Sequence, residues 1–147
     1  CVDALQDAGL NCQADPNVWA AIWEKVAFNA ALNSVCAVTQ CTVDQLDLIP
    51  EGRELALRVA SEVVAVAQAA GIHADADKTR SNVANAIAKH RGHKPSMLQD
   101  VLAGRKTEVD SINGAVVKEA RRRGVPVPCT ESMWTLVRLI ETRPSLT

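Results

Sequence analysis

The order of apolar and polar positions is helical almost from end to end. The clearest case follows Pro50: Leu55, Val59, Val63, Val66 and Ala70 recur at three- and four-residue steps, and Gly71 stands ready as a C-cap. A short amphipathic helix is predicted over 2–9, stopped by Gly9. Asp15-Pro16 reads as an N-cap followed by a first-turn proline, opening a long helix to about Val38. Ala76 to His90 makes another, with Gly92 behind it. Ser96-Met-Leu-Gln99 has the form of a capping box, with Ser96 as the cap of a short helix ending near Gly104. Thr107 starts the next, which runs to Arg123 and stops at Gly124. Val125-Pro-Val-Pro128 is extended, because proline fixes its own φ and restrains its neighbour, and Thr130 caps a last helix to about Thr142. No repeat, low-complexity linker or credible hairpin interrupts this series. The expected architecture is a single all-α domain over 1–147.

The most apolar run of the chain carries a polar line. In WEKVAFNAALNS (23–34), Lys25, Asn29 and Asn33 are spaced four apart. Each step turns the side chain about 40° further round, so the three form one slanting row about 12 Å long. The rest of the helix is apolar nearly all round, which predicts a buried helix. Unpaired buried polar groups cost a few kcal/mol each, so the row faces either partners or a wet cleft. A lysine partly stripped of water at the edge of a cleft is a usable proton donor. Two amides beside it offer donors and acceptors to a small polyfunctional molecule. The same spacing also fits a plainer arrangement, in which Lys25 snorkels to solvent and the asparagines cap neighbouring helix ends.

Composition removes several function classes. An apolar fraction of 48% over 147 residues is enough for one globular core. A net charge of -1 is not that of a chain built to grip nucleic acid or an anionic membrane. Three Trp, one Phe and no Tyr leave no platform for stacking bases. Val18 to Val38 is long enough to span a bilayer, but Glu24, Lys25, Asn29 and Asn33 in its middle argue against that. The five cysteines (Cys1, Cys12, Cys36, Cys41, Cys129) are odd in number and lack a CxxC pair. That favours free thiols in a reducing cytoplasm over a disulfide framework. No secretory signal, strand-then-GxGxxG segment or phosphate-binding loop is present. Most of any nucleotide site therefore lies outside these residues.

The stretch WEKVAFNAALNSVCAVT resembles the W-x-K-x-x-x-N-x-x-x-N-(S/P) signature of the C-terminal domain of ketopantoate reductases (2-dehydropantoate 2-reductases). A second block, PSMLQDVLAGRKTEVDSINGAVVKEARRRGVPVP (95–128), is similar to that family's S-M-x-Q-D-x-x-x-G-R-x-T-E-x-D-x-I-N-G block. The lead-in AGLNCQADPNVWAAIW resembles the family's entry from the cofactor domain, so the likeness covers essentially the whole chain.

The resemblance implies a two-domain enzyme. An N-terminal Rossmann domain, absent from this chain, binds NADPH. A helical domain, similar to the C-terminal domain of 6-phosphogluconate dehydrogenase, grips a small 2-oxo acid and supplies the acid. By match, Lys25 is the catalytic lysine and Asn29 and Asn33 hold the substrate. Ser96 also contacts substrate, and Glu108 acts near the substrate and the nicotinamide ribose as a catalytic and cofactor-binding residue. Expected partners are the chain's own Rossmann domain and a second copy, as a homodimer through this domain. Two departures bear on which 2-oxo acid is taken. Val43 stands where some members offer a polar side chain, and Ser111 stands at a position that is often aromatic. A reductase of another 2-oxo acid, or a non-catalytic helical oligomerisation domain, are the competing readings.

Local helix chemistry supplies plainer roles for the same residues. Ser96 is an ordinary N-cap, although a capped helix start also suits a carboxylate. Glu108 is an ordinary first-turn acid. Asn113 matches the family, but packing beside Gly114 is its expected role. His90 and His93 have H-x-x-H spacing, but Gly92 intervenes and no acid or cysteine is near, so no metal is expected. The basic stretch Lys89 to Lys94 is solvated surface or an attractor of an anionic ligand. Arg121, Arg122 and Arg123 sit at a helix C-terminus, where cations favour the dipole.

Overall fold

In the computed structural model, residues 2–9 and 17–143 are described. All regular structure among them is helical. The elements are α1 (Val2–Asp7), α2 (Val18–Thr39), a 3₁₀ turn (Asp44–Asp47), α3 (Pro50–Ala69), α4 (Ala76–Lys89), α5 (Ser96–Leu102), α6 (Asn113–Arg123) and α7 (Pro128–Thr142). The Asp15-Pro16 cap, Cys1 and Cys12 lie outside the described residues. None of the described helices is long and apolar enough to cross a membrane.

α2 is the axis, with α3, α4, α5 and α7 packed around it. From Ala27 onward it feeds the core: Ala27, Ala30, Ala31, Leu32, Val35, Cys36 and Ala37 are 0–2% exposed. The small alanines let neighbouring helices approach closely, and α3 answers with Val59, Val63 and Val66, each fully buried. Burying such a side chain contributes about 1.5–3 kcal/mol. The expectation of burial along the whole of α2 fails at its start. Val18, Trp19 and Ile22 are 45%, 62% and 43% exposed, because no described element lies over these first turns.

Most boundaries follow local rules. Pro50 occupies the first position of α3, where its missing N–H costs nothing. The Asp75 carboxylate accepts the Lys78 N–H at 2.9 Å and caps α4. Gly52 is required by close approach: a Cβ there would run into the Leu46 carbonyl of the 3₁₀ turn.

Three expected starts are corrected. Ser96 does not cap α5. It is the first helical residue after Pro95, no side-chain cap bond forms, and the Gln99 amide instead donates to the Lys94 carbonyl at 2.8 Å. Pro95, at φ -58° and ψ 157°, takes the cap position from the serine.

α6 begins at Asn113 and not at Thr107. The Thr107 hydroxyl accepts the Val109 N–H at 3.1 Å, a local turn that competes with a helix start. The segment then coils through bonds from Ser111 N and Ile112 N to the Glu108 carbonyl and from Gly114 N to the Val109 carbonyl.

α7 begins at Pro128, two residues ahead of the expected cap Thr130. Its cap comes from another helix. The Glu62 carboxylate on α3 accepts Cys129 N at 2.9 Å, and Thr130 N and the Thr130 hydroxyl at 2.7 Å each.

Candidate functional site

Four walls, with Val43 from just before the 3₁₀ turn among them, meet around a cleft of about 690 Å³. One wall is the face of α2 carrying Asn29 and Asn33, with Phe28 and Leu32 between them. Pro95 and Ser96, at the start of α5, form the second wall, and Glu108 stands on the turn before α6. The fourth wall is the α4–α5 connection, with Lys89, His90, Arg91 and His93. Asn29, Asn33, Ser96 and Glu108, predicted from separate motifs, are thus brought together.

These four side chains make no hydrogen bond or ion pair among the described residues. The asparagines are half-buried, and Ser96 and Glu108 are exposed. The plainer arrangement for Asn29 and Asn33 therefore does not hold, because they cap no helix end. Four uncommitted polar groups facing one hollow can receive a ligand with several acceptors and donors.

Lys25 sits one turn out, in an adjoining hollow of about 440 Å³ with Glu24, Lys78 and Asn82. Phe28 and His90 line both spaces. The neighbouring acid is already engaged: Glu24 pairs with the Lys78 ammonium at 2.7 Å and accepts the Asp75 N–H at 3.1 Å. That pairing holds the Lys78 ammonium above its usual range, chiefly through its hydrogen bond with Glu24. Lys25 is exposed and has no such partner among the described residues.

The α4–α5 connection is held in place from the 3₁₀ turn. Oδ1 of Asp44 accepts the Gly92 N–H at 2.9 Å and the Thr42 hydroxyl at 2.8 Å, and its second oxygen lies 4.0 Å from the Arg91 guanidinium. The Val43 N–H donates to the His93 carbonyl at 3.0 Å. The Thr42 and Gly92 bonds, in that order, hold the Asp44 carboxyl below its ordinary range. The His90 and His93 rings pack edge to face, with centroids 5.9 Å apart. Among the described residues no group of three or more His, Cys, Asp or Glu could hold a metal ion.

Of the two roles open to the basic stretch Lys89 to Lys94, solvated surface or attractor of an anionic ligand, its place on the cleft lining fits the second. A basic run at a helix end looks the same in sequence whether water or a cleft lies in front of it. Asn113 lies behind the cleft, fully buried as expected. Its amide donates to the Ala30 carbonyl on α2 at 3.3 Å, while its Oδ1 has no partner. Gly114 lets Trp134 close in, and the Trp134 indole N–H donates to Asp110 at 2.8 Å. A larger opening of about 750 Å³, between the α5–α6 connection and the end of α7, holds none of the predicted residues.

The family described as "Ketopantoate reductase PanE/ApbA C terminal" matches residues 17–141. The chain is 34% identical over 140 residues to the 2-dehydropantoate 2-reductase of Streptococcus pyogenes serotype M3, covering 95% of this chain and 46% of that protein. It thus spans about half the length of the curated relatives it matches. Among solved structures, it is similar to D-mandelate dehydrogenase in ternary complex with NADH and anilino(oxo)acetate, with a TM-score of 0.82 at 26% identity, covering 95% of this chain and 46% of that one. It is similar also to the dimeric ketopantoate reductase of Staphylococcus aureus, with a TM-score of 0.81 at 25% identity, covering 95% of this chain and 49% of that one.

Proposed function

The chain belongs to the ketopantoate reductase C-terminal family, and from that premise we propose that it is the substrate-gripping, proton-donating half of an NADPH-dependent 2-dehydropantoate 2-reductase. Such an enzyme reduces ketopantoate to pantoate, in the cytoplasm, on the route to pantothenate and coenzyme A. One observation carries the reading. Asn29, Asn33, Ser96 and Glu108 converge on one cleft with their hydrogen-bonding groups uncommitted.

The nicotinamide cofactor supplies hydride to the ketone carbon when bound. Within this chain Glu108 fits it: an exposed carboxylate at the cleft rim, with no partner among the described residues, can accept from ribose hydroxyls. The same proposal assigns the remainder of the cofactor site to a Rossmann domain outside these residues.

As the ketone is reduced, negative charge grows on its oxygen. The Lys25 ammonium, turned inward over Phe28, stabilises that charge and donates the proton. Asn29 and Asn33 hold the substrate's oxygens, and Ser96 contacts it from the opposite wall. Closure by a second domain would exclude water and strengthen each of these contacts. A homodimer through this domain is part of the same proposal, in keeping with the dimeric relative.

A second reading, a reductase of a 2-oxo acid with an apolar side chain, is favoured by Val43, Phe28 and Leu32 on the cleft wall. The D-mandelate dehydrogenase likeness fits that reading. The test is NADPH oxidation by the intact protein across a panel of 2-oxo acids, run beside the 147-residue chain alone. Turnover of ketopantoate by the intact protein, with a silent isolated chain, is expected. Preference for an aromatic 2-oxo acid would select the second reading, and comparable turnover by the isolated chain would sink both.

A further inference from the structure

The α4–α5 connection carries more positive charge than its surroundings use. Lys89 has no ion-pair partner among the described residues. Arg91 has only Asp44, at 4.0 Å, and its side chain is 82% exposed. Asp44 is itself committed, through one oxygen, to the Gly92 N–H and the Thr42 hydroxyl. Across the cleft stand neutral amides and a hydroxyl, with Glu108 the one acid on its lining. The connection is also fixed in shape. The Asp44 carboxylate and the Val43 N–H tie it to the 3₁₀ turn, and the two imidazoles pack on each other. A tethered cationic wall facing neutral donors is an arrangement for one anionic group of a ligand whose other oxygens meet the amides.

We propose that the 89–93 connection is the carboxylate-recognising wall of this cleft, with Arg91 as the residue that pairs with the carboxylate of a 2-oxo acid and Asp44 as the positioning residue that holds the wall. The assignment rests on the reductase reading for its substrate class. Arg91 suits the role because its planar fork meets both oxygens of a carboxylate, while Lys89 adds a second, less directional charge. Asp44 acts through the backbone: its Oδ1 fixes Gly92, and so fixes where the Arg91 side chain starts. Asparagine at 44 keeps an oxygen for both the Gly92 and Thr42 bonds, whereas alanine keeps neither.

The test is steady-state kinetics of the intact protein on ketopantoate and on its uncharged methyl ester. Arg91→Gln is expected to lower kcat/KM for the acid about three- to fivefold, the upper end of what one exposed charge pair contributes. The loss should fall mainly on KM, and the ester should be little affected. Asp44→Ala should give the same acid-selective loss, and Asp44→Asn should recover most of it. A merely structural role would instead cut acid and ester alike, and that result, or an unchanged KM for the acid in Arg91→Gln, overturns the proposal. Should the intact protein reduce no 2-oxo acid, titration with pantoate followed on the Gly92 amide resonance separates the two claims. A shift that Arg91→Gln abolishes supports the wall while the reductase reading falls, and no shift removes the wall.

Discussion

Replacing Glu62 with alanine should loosen α7 from a distance. Glu62 lies on α3, yet its two carboxylate oxygens take the Cys129 and Thr130 N–H groups and the Thr130 hydroxyl at 2.7–2.9 Å. Thr130 is fully buried, so its freed donors cannot simply turn to bulk water. Loss of an N-cap costs about 0.5–2 kcal/mol, and a hydrogen bond to a charged group about 1.5–3 kcal/mol. Glu62 is itself part-buried and water can partly replace it, so about 2–3 kcal/mol in all is a fair expectation. For a domain of this size each kcal/mol moves Tm by about 2–4 °C, giving a fall of roughly 5–10 °C. Thermal unfolding followed by far-ultraviolet circular dichroism measures it, with Glu54→Ala as the control. Glu54 makes only an exposed pair with Arg58 at 3.3 Å, worth under about 1 kcal/mol. A chemical readout accompanies the thermal one. Burial, and then the Glu62 charge, push the Cys129 thiol up, so Glu62→Ala should speed its alkylation. A Glu62→Ala protein that melts with the Glu54→Ala control would refute the distant cap.

Gly114→Ala should destabilise by about 1–3 kcal/mol through overpacking: the added methyl would lie 2.9 Å from Trp134 Nε1 and displace the bond to Asp110. Intrinsic tryptophan fluorescence should change with it, and an unaltered spectrum and melting curve would count against that contact. Burial, with smaller contributions from Cys41 and Asp44, pushes the Cys36 thiol from 9.0 up to about 12. The unfolded thiol ionises first, so the stability this thiol contributes is intact below about pH 9 and drains away as pH rises towards 12. Denaturant midpoints across that window should fall more gently in Cys36→Ala than in the unaltered chain, and equal slopes would contradict the burial argument.

What the sequence made legible was local or repeated. The three- and four-residue steps of Leu55, Val59, Val63 and Val66 place α3 to within a residue or so. The four-residue steps of Lys25, Asn29 and Asn33 place the last two on one cleft wall. Where two local signals compete, the sequence alone does not say which one wins. Thr107 offers both a helix cap and a turn, and the turn wins because its hydroxyl finds Val109 while its own N–H is held by Glu141 of α7 at 2.6 Å. Ser96 lost its cap to a neighbour with a stiffer backbone. Contacts across long separations carry no local trace at all. Glu62 is unremarkable as a helical glutamate until Cys129 and Thr130 arrive in front of it. Asp44 reads as an ordinary loop acid until it is found on Gly92. The exposed start of α2 has the opposite cause: its apolar pattern is real, and no described element covers it.

The central claim is that the Lys25, Asn29, Asn33 row is the working face of a 2-oxo acid reductase, with Lys25 as its proton donor. The most direct measurement is kcat of Lys25→Ala in the intact protein, with NADPH and a saturating 2-oxo acid. General acids in such positions contribute about a hundredfold or more, and a fall of at least that size, with the melting curve unchanged, is the expected result. A kcat within about threefold of the unaltered enzyme, far less than such an acid contributes, would contradict it and leave Lys25 as an exposed lysine on the outer turn of α2.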